Sequence, residues 1–323
     1  MIGALAIALI VWYGGLRTLE GTITLGVLVA FIQYTDRFYK PISDLSEKFN
    51  ILQSAMASSE RIFSLLETPP EITSPSNPRY LEKVRGSLEF RGVWFSYRKD
   101  VPVLRNVSFA VSPGEKIAIV GATGSGKSTL INLLCRFYDV DRGQVLVDGI
   151  DVRELSLDQL RQNIAVVLQD VFLFSGSVEE NLRLWDRPVS YNELEWATQQ
   201  VQAHPFIRAL PEGYSTPVTE RGSSLSAGQR QLLAFARALV HDPKILVLDE
   251  ATSSIDTETE LLIQGAVERL MENHTSLIVA HRLSTIQHCD RIIVLHKGEL
   301  TEVGTHEQLH QQRSIYYRIN QLQ

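Results

Sequence analysis

A glycine-rich segment at residues 121–129 carries residue types suited to holding phosphate groups. Its spacing is G-x-x-x-x-G-K-S, and it stands between a short apolar run, Lys116–Val120, and a helical pattern that begins at Leu130. Glycines let backbone N–H groups wrap around a phosphate, and the start of a helix adds its positive dipole. The alternative, a glycine-rich turn with a surface lysine, does not account for the flanking strand and helix patterns.

The same spacing assigns roles within the segment. Lys127 is predicted to reach the terminal phosphates of a nucleotide, and Ser128 to bind Mg²⁺. The predicted nucleotide contacts come from Gly121, Thr123, Gly124, Ser125, Gly126, Lys127, Ser128 and Thr129.

A second apolar run, residues 245–248, ends in two acids, Asp249 and Glu250. A run this apolar predicts a central parallel strand, and open α/β sheets bind ligands at the carboxyl ends of such strands. Asp249 suits the coordination shell of Mg²⁺, while Glu250 suits the orientation or deprotonation of an attacking water. Two carboxylates at a strand end are common by themselves, and the phosphate-binding segment strengthens the functional interpretation.

Residues 225–229 (LSAGQ) precede a helical pattern at 230–240. Ser226 offers a small hydroxyl at the start of this helix, and Gly228 permits close approach of a backbone. A plain helix N-cap at Ser226 explains the same residues equally well.

The composition along the chain indicates which secondary-structure elements position these residues. After residue 86, strand and helix patterns alternate, which predicts an α/β domain. Four prolines at residues 69–78 indicate a linker.

The overall composition excludes some function classes. The 31 Lys and Arg against 37 Asp and Glu give a formal net charge of −6, which disfavours a nucleic-acid partner. Two cysteines are too few for a disulfide scaffold and fit a reducing compartment.

The first 35 residues hold two apolar runs, at 2–15 and 23–34, separated by a polar break at 17–20. We expect a membrane hairpin whose second run continues as one long helix through residue 67. A buried soluble hairpin remains an alternative, while a signal peptide is disfavoured because no basic residue precedes the first run. The basic residues predicted to lie on the cytoplasmic side are Arg37, Lys40, Lys48 and Arg61.

As a whole, the motifs resemble the nucleotide-binding domain of ATP-binding cassette (ABC) transporters. Residues 225–229 resemble the signature motif, with Ala227 where a second glycine is usual. Tyr97 resembles the aromatic residue that stacks on adenine. Gln169 resembles the glutamine that contacts Mg²⁺ or water and senses the membrane domain, and residues 219–222 resemble the exporter-type X-loop.

Two further motifs extend the resemblance. Asp256 ends a segment similar to the D-loop, and His281 resembles the switch histidine on the γ-phosphate. Taken singly, a structural histidine and a partly buried strand aromatic are ordinary explanations for His281 and Tyr97, but the order of the motifs favours the family. The resemblance implies an α/β P-loop ATPase of the ABC type, with a RecA-like core, an antiparallel β subdomain and a helical subdomain, preceded by an α-helical transmembrane segment.

Domain boundaries follow at residues 1–68 for a partial transmembrane domain, 69–86 for a linker and 87–323 for the nucleotide-binding domain. The first part resembles the last two membrane helices of an exporter-type, multidrug-resistance-like half-transporter. Such subunits carry six membrane helices, so we expect a fragment of a longer protein or a start at an internal methionine.

The resemblance also implies ATP and Mg²⁺ as ligands. The implied catalytic residues are Lys127, Gln169, Glu250 and His281, and the implied metal ligands are Ser128, Gln169 and Asp249. By the same resemblance two cassettes pair head to tail, so Ser226, Gly228, Gln229 and Asp256 are expected at a nucleotide shared between two chains. Residues 221–239 and 314–323 look most similar to multidrug-resistance-like half-transporters that work as heterodimers, and a homodimer is compatible with the sequence.

We therefore expect the ATP-hydrolysing subunit of an exporter that moves a drug or a lipid. It is expected to be a multi-pass protein of the cell membrane, surrounded by membrane lipid, with the nucleotide-binding domain in the cytoplasm. The alternatives are a truncated, transport-incompetent fragment, an importer's ATPase subunit and an ABC ATPase without a transport role.

Overall fold

The computed structural model describes residues 2–184, 188–249, 257–279 and 283–321. The chain divides into two units, Met1–Glu71 and Ile72–Gln323, and each is described by itself.

The first unit is a pair of helices, α1 (Ile2–Leu19) and α2 (Leu25–Leu66). The side chain of Thr24 accepts a hydrogen bond from the N–H of Val27 and caps α2. The helices approach closely at Gly14, where a Cβ would lie 2.5 Å from the Cδ1 of Leu28. The predicted continuation of the second apolar run is confirmed, since α2 has 42 residues and includes Pro41.

Among the described helices, α1 is the one that is long and apolar enough to cross a membrane. Most of its residues are exposed, the others are half-buried, and Gly14 is buried. The apolar stretch at the start of α2 is shorter, because Asp36, Arg37 and Lys40 follow within the same helix. Hydropathy and length therefore support the first of the two expected membrane helices, α1.

The second unit alternates strands and helices. Its strands are β1 (Leu88–Phe95), β2 (Leu104–Val111), β3 (Lys116–Val120), β4 (Arg142–Val147), β5 (Ile150–Asp151), β6 (Ile164–Val167), β7 (Gly176–Ser177), β8 (Pro217–Val218), β9 (Ile245–Asp249), β10 (Thr275–Val279), β11 (Arg291–His296) and β12 (Glu299–Gly304). Its helices are α3 (Lys127–Leu134), α4 (Leu157–Gln162), α5 (Val178–Arg183), α6 (Tyr191–Gln200), α7 (His204–Ala209), α8 (Ala227–Val240), α9 (Thr257–Leu270), α10 (Leu283–Gln287), α11 (His306–Gln312) and α12 (Ile315–Gln321).

A six-stranded sheet in the order β12-β11-β3-β10-β9-β6 forms the centre of this unit. Its strands are parallel except for β12, which pairs antiparallel with β11. The central strands are apolar and buried on both faces, as is typical of a parallel sheet covered by helices. The strands predicted at Lys116–Val120 and before Glu250 are confirmed.

A separate antiparallel sheet has the order β2-β1-β4-β5. Phe90 of β1 stacks on Phe109 of β2 at 4.6 Å between ring centroids, inside a second apolar core. Helices α5, α6 and α8 pack together around the larger core. The antiparallel and helical parts that the resemblance implied are therefore present beside the parallel sheet.

Both functional helices begin earlier than their apolar periodicity predicts. The starting points expected at Leu130 and Arg230 were wrong, because α3 begins at Lys127 and α8 at Ala227. Gly126 and Ser226 are the respective N-caps, and the first turns are made of small or polar residues that carry no apolar signal.

The proline-rich segment expected at 69–86 is tied to the second unit along its later part. Gln159 makes a reciprocal pair with the backbone of Leu81, at 3.1 and 2.9 Å. The carboxylate of Asp148 accepts three backbone N–H groups from residues 85–87, at 2.7 to 3.2 Å. These bonds fix where the chain enters β1.

Candidate functional site

The turn between β3 and α3 depends on glycine at two positions. Gly126 has φ 105 and Gly124 has φ 79, both in the left-handed region. A Cβ on Gly126 would lie 2.6 Å from the Cδ2 of Leu104, whereas at Gly124 it would meet nothing within 4 Å. Among the described residues no side chain caps α3, so the backbone N–H groups of its first turn remain for a ligand.

The ammonium of Lys127 lies across this turn. Its Nζ donates hydrogen bonds to the carbonyl oxygens of Gly121 at 2.7 Å and Ala122 at 3.2 Å. The residue is only 7% exposed. Burial lowers the pKa of Lys127, and the negative charge of Asp249 opposes that shift. The side chain therefore places a buried cation beside the exposed part of the loop.

Ser125 gives a test of whether the loop fits a phosphate. The residue is 4% exposed, and its Oγ is buried with no hydrogen-bond partner in the part of the chain that the structure describes. An unsatisfied buried hydroxyl costs about 1–3 kcal/mol, so its presence favours a polar ligand at this loop. Together with the N–H groups of α3 and the Lys127 ammonium, this hydroxyl fits a phosphate group.

Asp249 and the phosphate loop lie at the same edge of the parallel sheet. Val279 of β10 pairs with Ile119 on one side and with Asp249 on the other. Because neighbouring strands are about 4.8 Å apart, the Cα atoms of Ile119 and Asp249 are separated by roughly 10 Å. Ser128 is exposed in the first turn of α3, next to this edge. An oxygen-ligand set for Mg²⁺ is therefore compatible with the backbone arrangement.

Gln169 follows β6, the neighbour of β9 on its other side. Val167 pairs with Leu248 in parallel register, so Gln169 leaves the sheet at the same edge as Asp249. Its side chain is exposed. The topology thus brings Gln169, Asp249 and the phosphate loop to one edge.

Tyr97 follows β1 and reaches the phosphate loop from the antiparallel sheet. Its hydroxyl lies 3.3 Å from the Oγ1 of Thr129, which is buried in the first turn of α3. The ring is 46% exposed. The predicted base-stacking residue and the predicted phosphate-binding residues are therefore in direct contact, although 32 positions separate them along the chain.

Ser226 forms a capping box at the start of α8. Its Oγ accepts a hydrogen bond from the N–H of Gln229 at 3.2 Å, and the Oε1 of Gln229 accepts one from the N–H of Ser226 at 2.9 Å. The N-cap interpretation is therefore realised. Among the described residues, the side-chain hydrogen bonds of Ser226 and Gln229 stay within this capping box.

Gly228 has a packing reason that the sequence did not indicate. A Cβ there would overlap the Cγ2 of Thr259 on α9 and would come within 3.8 Å of Ile263. The close approach at this glycine is between α8 and α9. Three predicted site residues, Glu250, Asp256 and His281, lie outside the described residues.

Two residues missed by the sequence reasoning hold the segment that follows Gln169. Arg237 of α8 donates from Nε to the carbonyl of Asn181 at 2.9 Å and from Nη1 to that of Phe172 at 3.1 Å. Asn181 in turn donates to the carbonyl of Phe174 at 2.8 Å. Burial lowers the pKa of Arg237 to about 10. An arginine inside the apolar stretch at residues 232–240 was the available signal.

Comparison with known proteins agrees with this arrangement. The ABC transporter family profile matches residues 104–253. An uncharacterized ABC transporter ATP-binding protein of Bacillus subtilis is 48% identical over 316 residues, covering 98% of this chain and 52% of that protein. An ATP-dependent lipid A-core flippase of Syntrophus aciditrophicus is 43% identical over 322 residues, covering 100% of this chain and 53% of that protein.

A solved structure described as a bacterial Atm1-family ABC exporter with ATP bound matches with a TM-score of 0.76 and 35% identity. The match covers 98% of this chain and 55% of the exporter chain. The chain thus spans about half the length of the relatives it matches. With the phosphate loop, the parallel sheet and the helical part in the arrangement described above, the chain carries a domain of the ABC transporter family and is similar along nearly its whole length to ABC transporter proteins.

Proposed function

We propose that this chain binds and hydrolyses ATP as the cassette of an ABC exporter half-transporter. One observation carries the proposal: the loop between β3 and α3 combines uncapped N–H groups, an unsatisfied buried hydroxyl on Ser125 and the Lys127 ammonium. These are the groups that a triphosphate requires.

Within this proposal, the backbone of the loop holds the phosphates, and Lys127 and Thr129 donate to their oxygens. Tyr97 offers its exposed ring face to the base. Ser128, Asp249 and Gln169 supply the oxygen ligands for Mg²⁺, which when bound neutralises charge on the phosphate oxygens.

The hydrolytic step is assigned to two residues outside the described ranges. Glu250, directly after β9, orients the attacking water and accepts its proton. His281, two residues past β10, stabilises charge that develops on the transferred group. Their sequence positions support this assignment, since both follow strands that end at the edge shared with Lys127.

A second half-transporter is proposed as the partner. Ser226, Gly228, Gln229 and Asp256 then act on the nucleotide held by the other chain. The exposed N-terminal end of α8 supports this arrangement, because Ser226 and Ala227 are accessible while the rest of the helix is largely buried. We favour a heterodimer in which this chain supplies both residues of the hydrolytic step, Glu250 and His281.

The membrane part of the proposal places the chain in the cell membrane as a multi-pass protein, in contact with lipid, with its cassette in the cytoplasm. The length and apolar surface of α1 support it. The cargo is proposed to be a drug or a lipid, in keeping with relatives named as a lipid A-core flippase and a probable multidrug resistance protein.

Phosphate release from ATP by the purified full chain in lipid nanodiscs, with and without the partner half-transporter, tests this function. We expect Mg²⁺-dependent hydrolysis that EDTA abolishes and a protein that resists extraction by carbonate. Release of the chain by carbonate with hydrolysis retained would instead support an ABC ATPase without a membrane role. Absence of hydrolysis in both preparations would refute the proposal.

A further inference from the structure

The ring of Tyr97 is held in a defined orientation although nearly half of its surface is exposed. The ring of Phe95 meets it edge-on at 4.8 Å between centroids and 88° between planes. Tyr138 meets it in the same way from the segment after α3, at 5.1 Å and 87°. Edge-to-face contacts of this kind are a favoured aromatic geometry and restrict rotation of the central ring.

The Tyr97 hydroxyl is fixed by two side chains of α3. The Nδ2 of Asn132 donates to the phenolic oxygen at 3.0 Å, and the Oγ1 of Thr129 lies 3.3 Å from the same oxygen. Since the amide nitrogen can only donate, the Tyr97 hydroxyl accepts from Asn132 and gives its own proton to Thr129. Thr129 then accepts this bond, and its own hydroxyl proton remains available for another acceptor.

We propose that Asn132 and Tyr138 are positioning residues for the base of the nucleotide. They preset the Tyr97 ring so that a purine ring stacks on its exposed face. They also connect that ring to the phosphate loop through Thr129. This inference rests on the proposed function, because it assumes that a nucleoside triphosphate occupies the loop.

Preorganisation gives the physical reason for such an effect. An exposed aromatic side chain that is free to rotate loses conformational freedom when a ligand stacks on it, whereas one already fixed loses little.

The aromatic residue next to Tyr138 in the sequence, Phe137, lacks these ring contacts among the described residues and serves as a control. Phe137 lies beneath the guanidinium of Arg161, at 5.1 Å from the centroid, and has no ring contact with Tyr97 in the described structure.

The test compares two ligands that share phosphates and differ in the base. Equilibrium dissociation constants are measured for ATP and for inorganic tripolyphosphate on the full chain in lipid nanodiscs. For Asn132→Ala and Tyr138→Leu we expect the dissociation constant for ATP to rise about three- to tenfold, with that for tripolyphosphate unchanged. The control Phe137→Leu removes an aromatic ring at the position next to Tyr138 and should leave both dissociation constants within about twofold of wild type.

A double-mutant cycle isolates the hydroxyl bond. Tyr97→Phe keeps the stacking face and removes the hydroxyl, so Tyr97→Phe combined with Asn132→Ala should weaken ATP binding no more than either change alone. Equal weakening of ATP and tripolyphosphate would mean that Asn132 and Tyr138 only support the fold of α3, and it would overturn the inference. Unchanged ATP affinity in every variant would overturn it while leaving the proposed function intact. Failure of the wild-type chain to bind ATP would overturn the proposed function and this inference with it.

Discussion

Replacement of Lys127 by methionine separates the binding role of this side chain from any role in folding. Methionine has a similar length and volume but carries no charge. In the structure, the ammonium is buried and bonded to the carbonyl oxygens of Gly121 and Ala122. Loss of those two bonds destabilises the ligand-free protein, and removal of a buried charge stabilises it. Because the two effects oppose each other, we expect the free energy of unfolding without ligand to change by less than about 1 kcal/mol.

The effect on ATP binding should be much larger. A hydrogen bond to a charged group contributes about 1.5–3 kcal/mol, which corresponds to roughly a 10- to 150-fold rise in the dissociation constant. At an ATP concentration 100 times the wild-type constant, bound ligand stabilises the wild type by about 2.7 kcal/mol. With a constant raised about 30-fold, the same concentration stabilises Lys127→Met by only about 0.9 kcal/mol.

Thermal unfolding of the full chain, with and without ATP, measures both quantities in one series. Lys116→Met is the matched control, since Lys116 stands at the other end of β3, about 13 Å from Val120, the residue before the loop. The control should keep the full ATP-dependent rise in melting temperature. The reasoning is refuted if Lys127→Met also keeps it, or if the variant loses several kcal/mol of stability in the absence of ATP.

Two further predictions concern stability. Gly228→Ala should destabilise the chain by about 1–3 kcal/mol in denaturant unfolding, because its methyl group overlaps Thr259. By contrast, Gly265→Ala in α9, where a Cβ meets nothing within 4 Å, should stabilise it by about 1 kcal/mol; the same sign at both glycines would contradict the packing argument. Burial raises the pKa of Glu302, but hydrogen bonds from residues at the start of α12 outweigh the effect of burial, so the pKa is lowered overall. A carboxylate with a lowered pKa stabilises the folded protein at pH values above the pKa that it has in the unfolded chain, about 4.3. Glu302 should therefore stabilise the packing of α12 above that pH. The melting-temperature difference between wild type and Glu302→Gln should therefore be full above pH 5 and shrink as the pH falls towards 3, and a difference that does not depend on pH would argue against this role.

The parallel strands were predictable from the sequence, whereas the starts of the functional helices were not. Lys116–Val120 and Ile245–Asp249 are continuous apolar runs because both faces of their sheet are covered, and such runs have clear limits. Helices α3 and α8 each begin three residues before their apolar periodicity. Their first turns consist of small or polar residues that a ligand or a cap requires, so the apolar periodicity gives no signal there.

The site was predictable where its residues share a motif. The phosphate loop has a fixed spacing, and the geometry of its glycines agrees with that spacing. By contrast, two contacts join residues that are far apart along the chain. Tyr97 and Thr129 are 32 positions apart, and Arg237 and Asn181 are 56 positions apart. Neither has a local pattern, because it is the packing of sheets and helices that brings these side chains together.

Helix α2 shows the limit of hydropathy. The apolar run at 23–34 ends at charged residues that lie inside the same helix, so α2 continues far beyond it. At 42 residues, α2 is about 63 Å long, roughly twice the thickness of the hydrocarbon core of a bilayer. Its length fits a helix that extends beyond a membrane, but its average hydropathy does not identify it as a membrane helix.

ATP turnover and ATP affinity of Glu250→Gln, measured together on the full chain in lipid nanodiscs with the proposed partner half-transporter, test the central claim most directly. Glutamine keeps the size of the side chain and cannot accept the proton of the attacking water. We predict that the variant binds ATP within about threefold of wild type and that its turnover falls by more than about 100-fold. Turnover close to that of the wild type would contradict the assignment of hydrolysis to this chain.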